Sequence, residues 1–244
     1  MNLQIVSIQN VPEIRPGMNL SECLRGAVRS SGWSFQPGDI LAVTQKVISK
    51  AEGRIVNLGD VVPSAYSVSI ARRMSKDPRL VEIILRESRR IVRMRGEVLI
   101  CETHHGFICA NAGVDESNVE HAGWVTLLPK DPDRSARALA RELGCGVIIT
   151  DTFGRVWRDG LVDAAIGIAR VPAFLDFRGK TDPYGHRLRV TLLAAADALS
   201  AAAGLAMGKT AGTPAAVIRG FEWEETQDTS AASLLRPAER DLFL

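Results

Sequence analysis

The sequence lacks paired cysteine motifs, long apolar runs and an excess of charge of either sign. Its cysteines form no C-x-x-C pair and no zinc-ribbon spacing, which predicts reduced thiols in an intracellular protein. They are Cys23, Cys101, Cys109 and Cys145. No run approaches the roughly 20 apolar residues of a membrane helix, and the N-terminal segment lacks the basic and apolar regions of a signal peptide. We therefore expect a cytoplasmic protein with no membrane partner.

Charge gives no indication of a nucleic-acid partner. The formal net charge is +2 over 244 residues, with 24% charged and 46% hydrophobic residues, which is ordinary for a folded domain. Arginine clusters at 86–95 and 134–141 are interpreted as solvated faces of helices, since a nucleic-acid footprint would be far more basic. The length allows one large domain or two modest ones.

Apolar periodicity predicts strands and helices that mix without strict βαβ alternation. The fold class expected from this order is α+β, or an irregular α/β arrangement with mixed sheets. The predicted strands are Leu3–Ile8, Ile40–Thr44, Ile55–Leu58, Glu97–Cys101, Trp124–Leu128, Val147–Thr150 and Ala215–Ile218. The predicted helices are Leu20–Val28, Pro63–Ser75, Asp77–Arg89, Ser135–Leu143 and Val190–Met207.

Two segments between these elements carry functional interest. Lysines follow the buried strand Ile40–Thr44 within 45–54, which is either a solvated turn or a site for phosphate or carboxylate charge. The segment Phe174–Tyr184 is rich in glycine, proline and polar residues, and we interpret it as a loop or lid.

The densest group of polar residues lies between Cys101 and Asn118. Its carboxylates, imidazoles and amides are set between two apolar runs, as in a site on a β-hairpin. His104 and His105 point to opposite sides of an extended segment, so at most one of them can face a site. Either could be a base or a metal ligand, or a histidine that only satisfies local hydrogen bonds.

Asp115 and Asp151 are the sharpest candidates for chemistry. Mg²⁺ and Mn²⁺ are held by one or two carboxylates together with substrate phosphates and water, and each aspartate follows an apolar run. The alternative is that both cap turns, which is a common use of aspartate.

The segment Gly204–Thr210 is similar to a phosphate-binding P-loop but is excluded as one. The motif needs four residues between its glycines, and this segment has three between Gly204 and Gly208. It also ends a predicted helix and enters a strand, whereas a P-loop leads from a strand into the helix whose N-terminus faces the phosphate.

Four motifs in order resemble the coenzyme F-420 γ-glutamyl ligase family, in its stand-alone form. They are Gln45–Arg54, the block ending ANAGVDESN at Asn118, DTFGR at Asp151–Arg155, and Met207–Gly220. The similarity spans nearly the whole chain. It implies a single ligase unit over 1–244 with a smaller subdomain around 155–190, in a two-subdomain fold that forms an intertwined homodimer.

The resemblance also implies an activity. Family members add L-glutamate to the lactyl carboxylate of a deazaflavin precursor, then extend it by a γ-linkage, with GTP, two Mg²⁺ or Mn²⁺ ions and K⁺. The implied catalytic residues are Lys50, Arg155 and His105, and the metal ligands Asp115, Asp151 and Thr152. The implied GTP contacts are Val11, Pro12, Glu13, Ile14, Gln45, Lys46, Lys50, Asn118, Met207, Gly208, Lys209, Thr210, Ala211, Gly212, Thr213 and Pro214.

One departure from the family concerns the second metal. Members carry an acidic or amide side chain near the Met-Gly turn, where this chain has Gly204 and Lys209. Neither can ligate as a carboxylate, so the second site is either absent or completed from elsewhere. Two other functions remain open: a glutamate ligase for another carboxylate acceptor, such as a folate-like one, and a non-catalytic nucleotide-binding dimer.

Overall fold

A computed structural model describes residues 2–224 and 229–242. The strands are β1 (Gln4–Ser7), β2 (Ile40–Thr44), β3 (Ile55–Asn57), β4 (Ser88–Arg95), β5 (Val98–Thr103), β6 (Ile108–Ala110), β7 (Trp124–Thr126), β8 (Gly146–Gly154), β9 (Leu161–Ala169), β10 (Phe174–Asp176), β11 (Leu192–Ala194) and β12 (Ala215–Arg219). The helices are α1 (Leu20–Ser30), α2 (Gln45–Ala51), α3 (Ala65–Met74), α4 (Pro78–Arg86), α5 (Pro132–Leu143) and α6 (Ala195–Met207). The α+β fold class is confirmed. None of the helices in these two ranges is long and apolar enough to cross a membrane.

A mixed sheet with the strand order β1-β12-β2-β8-β9 organises the larger lobe. β2 and β8 are parallel, with Thr44 beside Thr150 at their carboxyl ends, while the other neighbouring strands are antiparallel. Both strands are buried on both faces and consist of apolar, largely β-branched residues, as central strands require. The segments that follow β2 and β8 therefore leave the sheet at the same end of these two strands.

Helices cover both faces of this sheet. Leu41, Val43 and Val147 point to one face and pack with α1 and α5, whereas Ile40 and Ile148 point to the other and pack against α6. The alternation follows from the period of two in a strand. The result is a three-layer arrangement with one core on each side of the sheet.

A third core forms the smaller lobe. It contains α3 and α4 packed on the antiparallel strands β4-β5-β6, with Val125 of β7 also buried in it. The stretch between Cys101 and Asn118 runs through this lobe as the β5–β6 hairpin, a short 3₁₀ turn at Asn111–Gly113 and a loop. The predicted hairpin is therefore confirmed.

Three predictions of local structure are wrong. Residues 45–51 form the helix α2 and not a solvated turn. The helix lacks a side-chain cap, but its buried side chains Val47 and Ile48 pack in the larger core and stabilise it. Arginines of the 86–95 cluster lie on the strand β4, not on a helix, and two register shifts in its pairing with β5 obscure the alternation. Helix α6 begins at Ala195, since residues 192–194 pair with β10.

Candidate active site

A cavity of about 410 Å³ opens at the carboxyl ends of β2 and β8. It collects segments that are far apart in sequence: the chain before α1, the start of α2, the loop after Val114, the end of β8, and the loop after α6. Its lining residues are Val11, Pro12, Glu13, Ile14, Thr44, Gln45, Lys46, Val47, Lys50, Asp115, Asn118, Thr150, Asp151, Thr152, Asp163, Met207, Gly208, Lys209, Thr210, Gly212, Thr213 and Pro214.

Asp115 is fixed by its backbone and by Lys46. Its N–H donates to the Thr126 carbonyl at 3.1 Å and its carbonyl accepts from the Thr126 N–H at 2.9 Å, which ties the loop to β7. The Lys46 ammonium lies 2.7 Å from Oδ2, and the Ser117 N–H donates to Oδ1 at 2.7 Å. Burial would raise the pKa of Asp115, but these donors outweigh it and hold the pKa below its ordinary value.

Asp151 is a half-buried carboxylate in an unfavourable electrostatic environment. Burial raises the pKa of Asp151 to about 7, and the charges of Asp115 and Asp163 add to the rise, against the Thr152 N–H and Lys46. Asp151 makes no ion pair within 4 Å in the part of the chain that the structure describes. A bound cation would relieve this repulsion.

Asp163 is a site residue that sequence reasoning missed. It lies on β9 directly opposite Thr152 of β8, and its Oδ1 accepts from the Thr152 hydroxyl at 2.6 Å and from the Lys209 ammonium at 2.7 Å. The alternation along β9 could place Asp163 on either side of the strand, because a register shift in the pairing with β8 changes which face each residue occupies. Asp163 faces the cavity because of the register between β8 and β9, which cannot be read from the sequence.

Lys50 stands between two cavities. Its ammonium lies 2.5 Å from Glu13 Oε1, and both residues also line a neighbouring cavity of about 320 Å³. That second cavity is bordered by Arg15 and by the rings of His121 and Trp124, whose centroids are 5.7 Å apart. The two cavities thus share a charged wall.

Three predicted site residues do not line the main cavity. His105 donates from Nε2 to the Pro129 and Lys130 carbonyls at 2.9 and 3.1 Å, and stacks on Phe107. The exposed Arg155 contacts the Asp159 carbonyl at 3.5 Å, and Ala211 is the one predicted residue of its loop outside the lining. The catalytic roles of His105 and Arg155 stay predictions.

Two other candidate features also lie elsewhere. His104 Nε2 is 2.8 Å from the Arg86 carbonyl, at the α4 side of the hairpin. The segment Phe174–Tyr184 includes β10 and lines neither of the two cavities. The segment Gly204–Thr210 does not have P-loop geometry, because α6 ends at Met207 and the loop that follows leads into β12.

The cavity suits a hard divalent cation that also binds substrate oxygens. In the described ranges no three His, Cys, Asp or Glu side chains form a ready-made metal site. Mg²⁺ is commonly bound by one or two carboxylates plus phosphates, and Asp115 and Asp151 supply two. Thr150 adds a buried hydroxyl oxygen that has no hydrogen-bond partner in the described structure and faces the same cavity.

Carboxylates and lysines gathered in one cavity suit anionic substrates and divalent cations. Residues 9–220 match the F420-0:gamma-glutamyl ligase family, and the chain belongs to that family. The resemblance deduced from the four motifs is therefore confirmed.

Relatives match over the whole chain. The chain is 41% identical to the coenzyme F420:L-glutamate ligase of Methanothermobacter thermautotrophicus, over 100% of this chain and 99% of the relative. It is 43% identical to the protein of that name from Methanopyrus kandleri, over 99% and 98% of the two chains. It is 39% identical to that from Archaeoglobus fulgidus, over 100% and 97%.

Proposed function

We propose that the chain is a GTP-dependent ligase that joins L-glutamate to the lactyl carboxylate of the coenzyme F-420 precursor, and then adds glutamate by a γ-linkage. The relatives' names support the acceptor and the amino acid. The observation that carries the proposal is the meeting of Asp115, Asp151 and Lys46 in one cavity at the ends of β2 and β8. Such groups are needed where anionic phosphates and carboxylates react together.

Asp115 and Asp151 would hold a Mg²⁺ or Mn²⁺ ion together with phosphate oxygens of GTP. When bound, the ion would offset the charge of the transferring phosphoryl group and orient it. Thr152 lies next to Asp151 and lines the cavity, with its hydroxyl bonded to Asp163 and Lys209. The second divalent ion and the K⁺ ion that the resemblance implies stay predictions.

The remaining lining residues would position the nucleotide. Lys46 and Lys50 extend from α2 into the cavity, where their ammonium groups can meet phosphate oxygens. The segment Val11–Ile14, Asn118 and the loop Met207–Pro214 border the same space, apart from Ala211. Phosphoryl transfer depends mostly on positioning and electrostatics, which fits a site without a nucleophilic side chain.

Ligation would proceed in two displacements. An oxygen of the acceptor carboxylate attacks the γ-phosphorus of GTP, the bond to the bridging oxygen breaks, and GDP leaves. The acyl phosphate is then attacked at its carbonyl carbon by the glutamate amine, which loses a proton as inorganic phosphate departs. Lys50 borders both cavities, so it would contact the carboxylate where it meets GTP.

The acceptor would enter through the neighbouring cavity. Its wall carries His121 and Trp124, whose rings offer stacking surfaces for a flat heteroaromatic system. Arg15 at the same wall would attract an anionic acceptor, although it also lies 3.4 Å from Glu120. The segment Phe174–Tyr184 lines neither cavity and has no part in this assignment.

The test is product mass. Purified protein is incubated with the deazaflavin precursor, GTP, Mn²⁺ and L-glutamate, and the acceptor should gain one or two glutamyl units. Asp151→Asn and Asp115→Asn should abolish the gain, because each removes a proposed ligand. The matched control Asp60→Asn changes an exposed aspartate of a 3₁₀ turn outside the cavity and should retain the gain.

Other outcomes would redirect the proposal. A gain that does not need GTP, or that survives Asp151→Asn, would contradict it. GTP binding without any gain would favour another carboxylate acceptor, such as a folate-like one. If neither GTP nor Mn²⁺ raises the melting temperature, both ligase functions are contradicted.

The homodimer is part of the proposal. Val156, Trp157, Leu161 and Val162 are exposed around the tip of the β8–β9 hairpin, and exposed apolar groups of this kind suit an interface between copies. Leu161→Glu should shift the mass measured by light scattering from dimer to monomer. The same change at Val62, an exposed valine of the smaller lobe, is the control.

A further inference from the structure

The Lys209 side chain is bound between two groups that face the cavity. Its ammonium lies 2.7 Å from Asp163 Oδ1 and 2.8 Å from Thr152 Oγ1. The Thr152 hydroxyl in turn donates to the same Asp163 oxygen at 2.6 Å. The three groups form a closed triangle in which one positive charge is held by two oxygen ligands.

The triangle depends on Gly204. A Cβ atom at this position of α6 would lie 2.3 Å from Asp163 Oδ2, so no side chain fits there while the carboxylate is present. The Asp163 side chain is 4% exposed, whereas that of Lys209 is 57% exposed. The lysine thus reaches from the surface to a buried carboxylate that β9 delivers beside α6.

Charge explains why a cation is needed at this place. Asp163 and Asp115 both act electrostatically on the half-buried Asp151. Placing several carboxylates side by side away from bulk water is unfavourable unless cations offset them. Lys46 pairs with Asp115 and Lys209 with Asp163, which leaves the ligands around Asp151 for a cation from solution.

We propose that the Lys209 ammonium is a built-in cation that occupies the position beside Thr152 and Asp163 and excludes a divalent ion from it. This rests on the proposed function, in which a divalent ion binds at Asp115 and Asp151. The chain would then bind one divalent ion with its nucleotide. Removing the ammonium would free a carboxylate and a hydroxyl, and a second ion would bind there with substrate phosphates.

The test counts bound Mn²⁺ ions by electron paramagnetic resonance of free Mn²⁺, in the presence of a non-hydrolysable GTP analogue. Wild-type protein should bind one ion per chain, and Lys209→Gln should bind two. Lys209→Arg keeps the charge and should bind one. Lys180→Gln removes an exposed lysine that lies over the Phe177 ring, away from both cavities, and should also bind one.

A double variant identifies the ligand. Adding Asp163→Asn to Lys209→Gln should return the count to the wild-type value, because the carboxylate that holds the extra ion is gone. Retention of the extra ion would assign it to another place and overturn the proposal. Lys209→Gln leaves the buried Asp163 without its cation and should lower the melting temperature. A single cooperative unfolding transition above the assay temperature excludes unfolding as the cause of the changed count.

The comparison of counts separates this proposal from the proposed function. The built-in cation predicts that Lys209→Gln binds one ion more than wild type, and that wild type binds no more than one. The ligase proposal predicts that wild type binds at least one ion. Two ions on the wild type, or equal counts on wild type and Lys209→Gln, would overturn the built-in cation alone; no ion on the wild type but one on the variant would overturn the ligase site alone.

Discussion

Asp39 and Asp151 are aspartates at either end of the central parallel strands, and their carboxylates have different surroundings. Asp39 precedes β2 and is satisfied on every side, with Arg219 at 2.8 and 2.7 Å and the Gln36 N–H at 2.8 Å. Asp151 has no such arginine, and its pKa rises to about 7 through burial. The first carboxylate is structural, and the second is the one that we propose binds a cation.

The Asp39–Arg219 pair gives a prediction at the residue scale. Arg219→Met should reduce the free energy of unfolding by about 3 kcal/mol, because it leaves a buried carboxylate without its cation. Urea denaturation measures the change. Arg178→Met is the matched control, since its pair with Asp176 is exposed on both sides and its loss should change the free energy of unfolding far less. Equal losses would contradict the assignment.

Much of the site can be predicted from residue identity alone, and the rest needs the register. Asp115, Asp151 and Lys50 stand in distinctive motifs, and all three line the cavity. Asp163 has no such signal, because its role arises from pairing with Thr152 across two strands. His105 looked equally suitable in sequence, but the turn of the β5–β6 hairpin directs its Nε2 to backbone carbonyls.

At the scale of elements, α5 and β9 depend on one glycine. A Cβ at Gly167 would lie 2.6 Å from the backbone carbon and oxygen of Pro132, at the start of α5. The Asp133 carboxylate, one residue on, accepts from the Ile168 N–H at 2.8 Å and fixes the helix to the strand. Strand β9 can therefore pack this closely against the start of α5 because residue 167 is a glycine.

Gly167→Ala should lower stability by about 3 kcal/mol, since backbone atoms cannot move aside as a flexible side chain could. Thermal or urea unfolding gives the value. The control is Gly154→Ala, also on the β8–β9 pair, where an added Cβ meets nothing within 4 Å. If both variants lose stability equally, the close contact with α5 is not the cause.

The contact between α3 and α4 predicts a pH dependence. Glu82 of α4 accepts from the N–H and hydroxyl of Ser64, the N-cap of α3, at 2.9 and 2.7 Å. These hydrogen bonds, and the nearby Arg86, lower the pKa of Glu82 to about 2. Because the folded pKa lies below the unfolded one of about 4.3, the stabilisation is present above that pH and is lost as pH falls toward 2.

Glu82→Gln should therefore reduce stability by about 2 kcal/mol at pH 7, and the gap to wild type should narrow as the pH falls from about 4.3 toward 2. Urea unfolding across this range is the measurement. Glu97→Gln, at an exposed position of the β4–β5 turn, should differ from wild type by less than about 0.5 kcal/mol. A gap that stays constant with pH would show that the charge of Glu82 is unimportant.

Element type was predictable where caps and periodicity agreed. Asp77 and Asp131 cap α4 and α5 and each precedes a proline, and Gly144 ends α5 with a positive φ, as the sequence indicates. Helix α2 and strand β4 were not predictable, because tertiary burial holds the one and register shifts disguise the other. Their neighbours in space decide their structure.

At the scale of the whole molecule, the two lobes meet at the site. The larger lobe contributes the ends of β2 and β8, the helix α2 and the loop after α6, and the loop that follows the smaller lobe's hairpin contributes Asp115 and Asn118. The apolar cores of both lobes are evident from composition and periodicity. Their assembly around one cavity is not, since it depends on contacts between distant segments.

The most direct test follows a heavy oxygen isotope from the acceptor carboxylate into phosphate. If the acceptor is activated as an acyl phosphate, each turnover with GTP, Mn²⁺ and L-glutamate should place one labelled oxygen in the released inorganic phosphate, and Asp151→Asn should abolish both label transfer and ligation. Ligation that releases unlabelled phosphate would contradict the account, because the carboxylate oxygen would then never have bonded to the γ-phosphorus.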